Sequence, residues 1–334
     1  VVPNRFVKRN KINSLLDVIN YTSTPMGKRL LKQRILNPIL CPIELQTRYS
    51  IIDALQSNLD DSEISIWKQL EENLRQTTYD IERLQRKIMI KTIQPYELYN
   101  LDLAYHSINE IFYYLSNTNN QIIKEKLLPN SKLLEQFNKF INDFKKTFDM
   151  DAILKFHLNS IESSLFKEGI FPDIDLIQDE MSEIETLLTT IAQTLSQYIK
   201  DGKQKNDLDM IRLEYNEIIG YHLSLTKRRS ELLKKQLIGK TKLLFQINNT
   251  KYKVKPKELI YKIKGNRCRI TSDMIRNKSS KIVFLKDKLQ KSVQVEYLNL
   301  LERWSIEYED LFTNLVKTVS EIDVYKSAAK MAIR

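Results

Sequence analysis

The sequence predicts a mainly α protein with a helical core, two long helices and a small β-rich insert between those helices. The 334 residues include only 6 Gly and 8 Pro, so few positions interrupt a helix. Apolar residues recur at helical spacing through most of the chain, whereas beyond Asp207 their period changes to two. We therefore expect a core with the outgoing long helix over 1–209, the insert over 210–280, and the returning helix with the end of the core over 281–334.

Helix-start signals are frequent in the first third of the chain. Thr24 is a good N-cap and Pro25 suits the first helical position, while Pro42 and Pro95 open two further helices. Gly27 lies inside a first turn, where glycine weakens a helix, so we expect close packing against it. Other helices are predicted around Trp67–Leu74, over Tyr79–Ile90 and over Leu133–Phe144.

A long helical stretch is predicted before the insert and another after it. Between residues 174 and 200, apolar residues fall at alternating steps of four and three, the spacing of a seam against another helix. From Ser272 to Arg334 there is no Gly or Pro. One straight helix of that length would span about 95 Å, so we expect two helices with a break around Trp304–Tyr308.

The insert is predicted to be built from short strands. Apolar and polar residues alternate around Ile211–Tyr215 and Tyr221–Leu225. Turns are expected at Asn248-Asn249 and at Gly265-Asn266. Four further strand candidates are Leu243–Ile247, Lys251–Val254, Leu259–Lys264 and Arg267–Thr271.

The same part of the chain carries most of the positive charge. From Tyr221 to Lys281 there are 18 Lys and Arg against three Asp and Glu, whereas the whole chain has a net charge of +11. The residues outside this stretch therefore carry a net charge of −4. Such a distribution is typical of a module that binds a polyanion, with a solvated surface loop as the alternative.

Enzymatic motifs are not found in this sequence. Gly239-Lys240-Thr241 looks like the end of a phosphate-binding loop, but that loop needs a glycine where Lys234 stands. The histidines and the two cysteines, Cys41 and Cys268, fit no metal spacing and no disulfide framework. We expect no enzyme, no cofactor and no membrane association in this segment. An intracellular compartment is expected, and the missing initiator Met suggests a piece of a longer protein.

Cations on a two-stranded ribbon can neutralise phosphates without reading bases. The tyrosines among them, Tyr221, Tyr252 and Tyr261, favour packing over base stacking, so duplex DNA fits better than a single strand. An acidic protein docked on the basic tip of a helical scaffold is the alternative from a different class.

Five segments, in the right order, resemble the DNA mismatch repair MutS family. They are distributed over nearly the whole chain and match the family's core domain, the entry to its clamp, the exit from the clamp and the end of the core. The segments are Thr22–Leu31, Tyr79–Leu84, Tyr215–Tyr221, Ile270–Met274 and Glu321–Val324.

The resemblance implies a helical core with two lever helices and a β clamp that closes over duplex DNA, mismatched or branched. It also implies a dimer with another MutS-family subunit, either a homodimer or a heterodimer. In the parent protein, ATP and Mg would bind an ATPase domain that lies outside this chain. A crossover-promoting member of the family remains an alternative to a mismatch-repair member.

Position against the family pattern also implies which residues contact DNA. They lie around the Gly265-Asn266 turn and just past Gly220-Tyr221. The candidates are Lys227, Arg228, Lys262, Lys264, Asn266, Arg267 and Arg269.

Overall fold

The computed structural model describes residues 14–57, 65–77, 79–199, 210–216, 220–247 and 250–333. Within them the protein is mainly helical, as predicted. The helices of the first half are α1 (Leu15–Ile19), α2 (Pro25–Leu36), α3 (Pro42–Gln56), α4 (Ile66–Gln76), α5 (Ile81–Met89), α6 (Pro95–Asn117), α7 (Gln121–Lys126), α8 (Ser131–Thr147) and α9 (Met150–Lys155). The remaining helices are α10 (Pro172–Gln197), α11 (Lys227–Leu237), α12 (Asp273–Glu307) and α13 (Glu309–Ala332).

The described residues fall into two compact units. The first unit, called the helical unit here, lies within Val1–Leu158, Leu165–Lys167 and Val295–Arg334. The second, called the sheet unit, lies within Asn159–Ser164 and Glu168–Gln294. All the candidate DNA-contacting residues belong to the sheet unit.

Helix starts in the helical unit follow the sequence signals. Thr24 caps α2, since its hydroxyl accepts a hydrogen bond from the backbone N–H of Gly27 at 3.0 Å. A Cβ atom at position 27 would overlap the carboxylate of Asp323 on α13. The predicted close packing against Gly27 is therefore confirmed.

An aromatic cluster fills the core of the helical unit. The ring of Phe140 lies 5.0 Å from that of Trp304, 4.8 Å from that of Tyr308 and 5.3 Å from that of Phe312. The Tyr308 hydroxyl donates to Asp143 at 2.6 Å. Tyr308 is also the residue between α12 and α13, so the predicted break in the last long helical stretch is confirmed.

The sheet unit contains two antiparallel sheets. A four-stranded sheet has the order β1-β2-β6-β5, and β3 pairs with β4 in a separate hairpin. Each predicted strand is present, although the predicted Asn248-Asn249 turn lies outside the described residues. The strands are β1 (Arg212–Asn216), β2 (Gly220–Thr226), β3 (Leu243–Ile247), β4 (Thr250–Val254), β5 (Ile260–Lys264) and β6 (Arg267–Thr271).

Helix α11 was not predicted. The prediction that the cations lie on a two-stranded ribbon is also wrong, because the strands form a four-stranded sheet and a separate hairpin. The Thr226 hydroxyl caps this helix by accepting from the backbone N–H of Arg229 at 3.3 Å. Leu233 and Leu237 are buried on its inner side. Lys227 and Arg228 therefore lie in the first turn of a helix, while other candidates lie on a four-stranded sheet.

Candidate nucleic-acid interface

The four-stranded sheet has one apolar face, and α11 packs against it at β2 and β6. Leu223 and Ile270 are fully buried on this face, opposite each other in neighbouring strands. Tyr261 lies in the same cross-strand row, and the Lys234 ammonium of α11 is 4.6 Å from the centre of its ring. Since side chains alternate between the two faces of a strand, the residues in between point the other way.

The opposite face of the sheet is basic. Arg212, Ser224, Arg269 and Lys262 are successive cross-strand partners, so they form one row across the four strands. Directly paired residues share a face, and the neighbouring row holds Thr226, Arg267 and Lys264. We call the five cations of these rows the basic sheet face: Arg212, Lys262, Lys264, Arg267 and Arg269.

These cations are largely available to a ligand. Arg212, Lys262, Lys264 and Arg267 are exposed, and Arg269 is partly exposed. Within the described residues, Arg267 is the one member whose side chain forms an ion pair. The Nε atom of Arg269 is buried and has no hydrogen-bond partner there. A buried donor without an acceptor is costly to folding.

Comparison with known proteins agrees with the motif order. The family model of MutS domain III matches residues 2–329. The chain belongs to the MutS family.

Similar relatives carry names from the same family. A mutS homolog of Acanthamoeba polyphaga mimivirus is 29% identical over 97% of this chain and 28% of its own length. A mitochondrial DNA mismatch repair protein mutS homolog of Sarcophyton glaucum is 28% identical over 98% of this chain and 30% of its own length. The DNA mismatch repair protein MutS of Caldicellulosiruptor bescii is 28% identical over 71% of this chain and 25% of its own length. The chain thus spans less than a third of the length of these relatives.

In this MutS domain, the candidate residues lie on β5 and β6, in the turn between these strands and at the start of α11. Lys262, Lys264, Arg267 and Arg269 share the basic sheet face, and Asn266 lies in the turn between β5 and β6. The other two candidates follow the end of β2, which pairs with the start of β6. There the backbone N–H of Lys227 donates to the carbonyl of Asn266 at 2.9 Å, and Arg228 follows in the same turn of α11.

Arg212 was missed by the sequence analysis. It lies in β1 and completes the row that contains Arg269 and Lys262. Its signal was the alternation of residues 211–215, but the basic stretch was counted only from Tyr221 onward. Because β1 carries one Arg and one Glu, charge counting alone could not identify it.

One carboxylate lies on the basic sheet face. Glu214 is two residues from Arg212 on the same strand, and its Oε2 atom is 3.7 Å from Nη1 of Arg267. Its cross-strand partner is His222, whose Nε2 atom is 4.0 Å away. Nδ1 of His222 lies 3.0 Å from the Gly220 carbonyl oxygen, so this buried ring is fixed at the edge of the face.

Two of the three tyrosines named from the sequence, Tyr221 and Tyr261, make contacts within the protein. The Tyr221 hydroxyl donates to Glu185 at 3.0 Å, and burial raises the pKa of this tyrosine. Burial also raises the pKa of Tyr261, to about 12, beneath the Lys234 ammonium. Both rings are therefore engaged within the protein.

The Gly239-Lys240-Thr241 segment does not have the geometry of a phosphate-binding loop. Gly239 has a φ of +85° and follows the C-terminal end of α11, whereas a phosphate loop leads from a strand into a helix N-terminus. The Lys240 ammonium lies 3.9 Å from the ring centre of Tyr198. Across the described ranges, no group of three His, Cys, Asp or Glu could hold a metal ion. No helix in them is long and apolar enough to span a membrane.

Proposed function

We propose that this chain is the duplex DNA-binding part of a MutS-type mismatch-recognition protein that acts in DNA mismatch repair. The observation that carries the proposal is the basic sheet face. Its five cations lie in two adjacent rows, and four of them make no ion pair within the described residues. The names of the relatives, which refer to mismatch repair, support the same assignment.

This face suits a DNA backbone better than the edges of bases. Lys and Arg side chains on a sheet surface form charge-assisted hydrogen bonds with phosphate oxygens, and such contacts carry no sequence information. Each neutralised phosphate releases counterions, so the affinity falls steeply as salt rises. We therefore expect the chain to hold duplex DNA without distinguishing a matched from a mismatched sequence.

We propose further that the longer parent protein is an ATPase that pairs with another MutS-family subunit around mismatched or branched duplex DNA. The length of the relatives leaves room for such further parts. ATP and Mg would bind outside this chain, since the Gly239-Lys240-Thr241 segment follows a helix C-terminus.

Fluorescence anisotropy of a labelled duplex, titrated with the 334-residue chain at several salt concentrations, tests the proposal. The wild-type chain should bind perfect and mismatched duplexes alike, with an affinity that falls as salt rises. Changing Lys264, Arg267 and Arg269 together to Glu should abolish binding, because three attractive charges on one face become repulsive.

A matched control separates the basic sheet face from net charge. Lys126, Lys132 and Lys146 are exposed lysines of the helical unit, and changing them to Glu gives the same change in total charge. That variant should keep most of the DNA affinity. If both triple variants lose binding equally, or if the wild-type chain binds no DNA at low salt, the basic sheet face is not a DNA-binding surface. An acidic protein then becomes the favoured partner.

A further inference from the structure

We infer that Glu214 limits the affinity of the basic sheet face for DNA by neutralising Arg267. The inference rests on the proposed function, since it assigns a role within the same surface. Glu214 is the one carboxylate in the four strands of this sheet, and its side chain points to the face that carries the cations.

Glu214 forms an ion pair with one of the five cations of the basic sheet face. The Glu214 carboxylate is 3.7 Å from the guanidinium of Arg267, whereas the side chains of Lys264 and Arg269 make no ion pair in the described part of the chain. Arg267 and Lys264 are cross-strand partners beside the β5–β6 turn. The pair therefore removes one positive charge from the row closest to that turn.

The pair is weak enough for DNA to compete with it. The side chain of Arg267 is 77% exposed and that of Glu214 is 37% exposed, so water screens their attraction. A phosphate that approaches Arg267 must displace Glu214 or accept a nearby negative charge. The carboxylate therefore lowers the affinity without blocking the surface, and it should shorten the time for which DNA stays bound.

His222 is the nearest cross-strand neighbour of this carboxylate, with Nε2 at 4.0 Å from Oε2 of Glu214. It lies directly opposite Glu214 in the β1–β2 ladder, and its ring is buried with Nδ1 against the Gly220 carbonyl.

The test is the substitution Glu214→Gln, which removes the charge and keeps the shape. DNA affinity should rise about two- to fivefold, the amount expected from an exposed ion pair. The slope of log affinity against log salt should steepen by about one, because Arg267 now releases a counterion on binding. The increase should appear mainly as slower dissociation in stopped-flow experiments.

A double-mutant cycle decides whether Arg267 mediates the effect. In an Arg267→Gln background, Glu214→Gln should leave both the affinity and the salt slope nearly unchanged. Equal gains in the two backgrounds would overturn the inference, because the carboxylate would then act by general repulsion of DNA.

Glu231→Gln is the matched control. Glu231 is exposed on α11, which packs on the apolar side of the sheet, and its substitution changes the net charge by the same amount. It should not change the salt slope, and a gain equal to that of Glu214→Gln would contradict the inference. Loss of binding in the Lys264, Arg267 and Arg269 triple variant would support the proposed function whichever result Glu214 gives. A wild-type chain that binds no DNA would overturn both.

Discussion

Nζ of Lys326 lies 3.1 Å from Oδ1 of Asp323 in the helical unit, and both side chains are fully buried. Asp323 also accepts hydrogen bonds from the backbone N–H groups of Ser23 and Thr24, at 2.9 and 2.8 Å. Lys326 donates to the carbonyl of Tyr21 at 2.7 Å. The pair therefore fastens the segment before α2 to α13, about 300 residues away in sequence.

Asp323→Ala should destabilise the helical unit strongly. The change leaves the Lys326 ammonium buried without its partner, and loss of one member of a buried ion pair costs about 3–5 kcal/mol. Urea denaturation followed by tryptophan fluorescence measures this cost, since Trp304 is buried in the same unit. The double variant Asp323→Ala with Lys326→Met should recover part of the loss. A double variant less stable than Asp323→Ala would show that the remaining charge is not the cause.

Glu71 gives the helical unit an acid-sensitive contact. Burial by itself would raise the pKa of Glu71, but the hydrogen bond from Lys330 at 2.7 Å and the nearby cations hold it below its ordinary value of 4.5. A group whose pKa is lower in the folded state stabilises the fold above the unfolded value, and this stabilisation is lost as pH falls through the folded value. The melting temperature should therefore decrease as the pH is lowered below about 4.5.

Glu71→Gln tests this contribution directly. The variant should be less stable than the wild type at pH 7 and should lose less stability on acidification. Glu72→Gln is the control, because Glu72 is the exposed neighbour on the same helix. Parallel melting curves for wild type and Glu71→Gln over pH 3–7 would contradict the assignment.

The elements that could be predicted from sequence are those with local signals. The cap at Thr24, the prolines at 25, 42 and 95 and the two-residue alternation of the strands all act within a few positions. Helix α11 has a local signal of the same kind in its cap residue Thr226, but its sequence KRRSELLKKQL contains few apolar residues and continues directly from β2, so the helix was not separated from the strands. Its helical form depends on Leu233 and Leu237 reaching the apolar face of the sheet.

The sequence predicted the basic sheet face only in part, and the reason differs from that for α11. Its composition was visible in the sequence, but β2 pairs with β6, and about 40 residues separate the two strands. That register decides that Arg269 joins the row of Ser224 and Arg212. Long-range pairing of this kind is set by tertiary packing, so neither the contribution of Arg212 nor the contact between Glu214 and Arg267 could be derived from spacing.

Gly220 and Gly265 should respond differently to alanine. Both have a positive φ, of +76° and +62°, which costs an alanine about 1–2 kcal/mol. A Cβ at position 220 would also overlap the Ser279 hydroxyl, which accepts from the backbone N–H of Tyr221 at 2.6 Å, whereas position 265 faces open space. Gly220→Ala should therefore cost the sheet unit a further 1–3 kcal/mol, roughly the penalty of an unpaired buried amide.

Hydrogen exchange of the Tyr221 amide measures this difference. Protection of that amide should decrease in Gly220→Ala and stay unchanged in Gly265→Ala. Equal protection in the two variants would mean that Ser279 rotates without losing its contact.

Arg269 should be more important for binding than for folding. Its Nε atom is buried without an acceptor in the described residues, so Arg269→Met removes an unsatisfied donor and keeps the apolar part of the side chain. The unfolding free energy should stay equal or rise slightly. DNA affinity should fall severalfold and the salt slope should flatten by about one, because one phosphate contact is lost.

Arg29→Met is the contrasting variant, because Arg29 should be important for folding and not for DNA binding. The guanidinium of Arg29 donates two hydrogen bonds of 2.8 Å to Asp80 in the helical unit, so its loss should lower stability and leave the DNA affinity unchanged. Denaturation and anisotropy measured on both variants separate the two roles. If Arg269→Met destabilises the protein as Arg29→Met does, then Arg269 holds the sheet together, and the missing acceptor does not indicate a ligand. If only the DNA affinity falls, the unsatisfied donor is part of the binding surface, because a residue kept at a cost to folding is typical of a functional site.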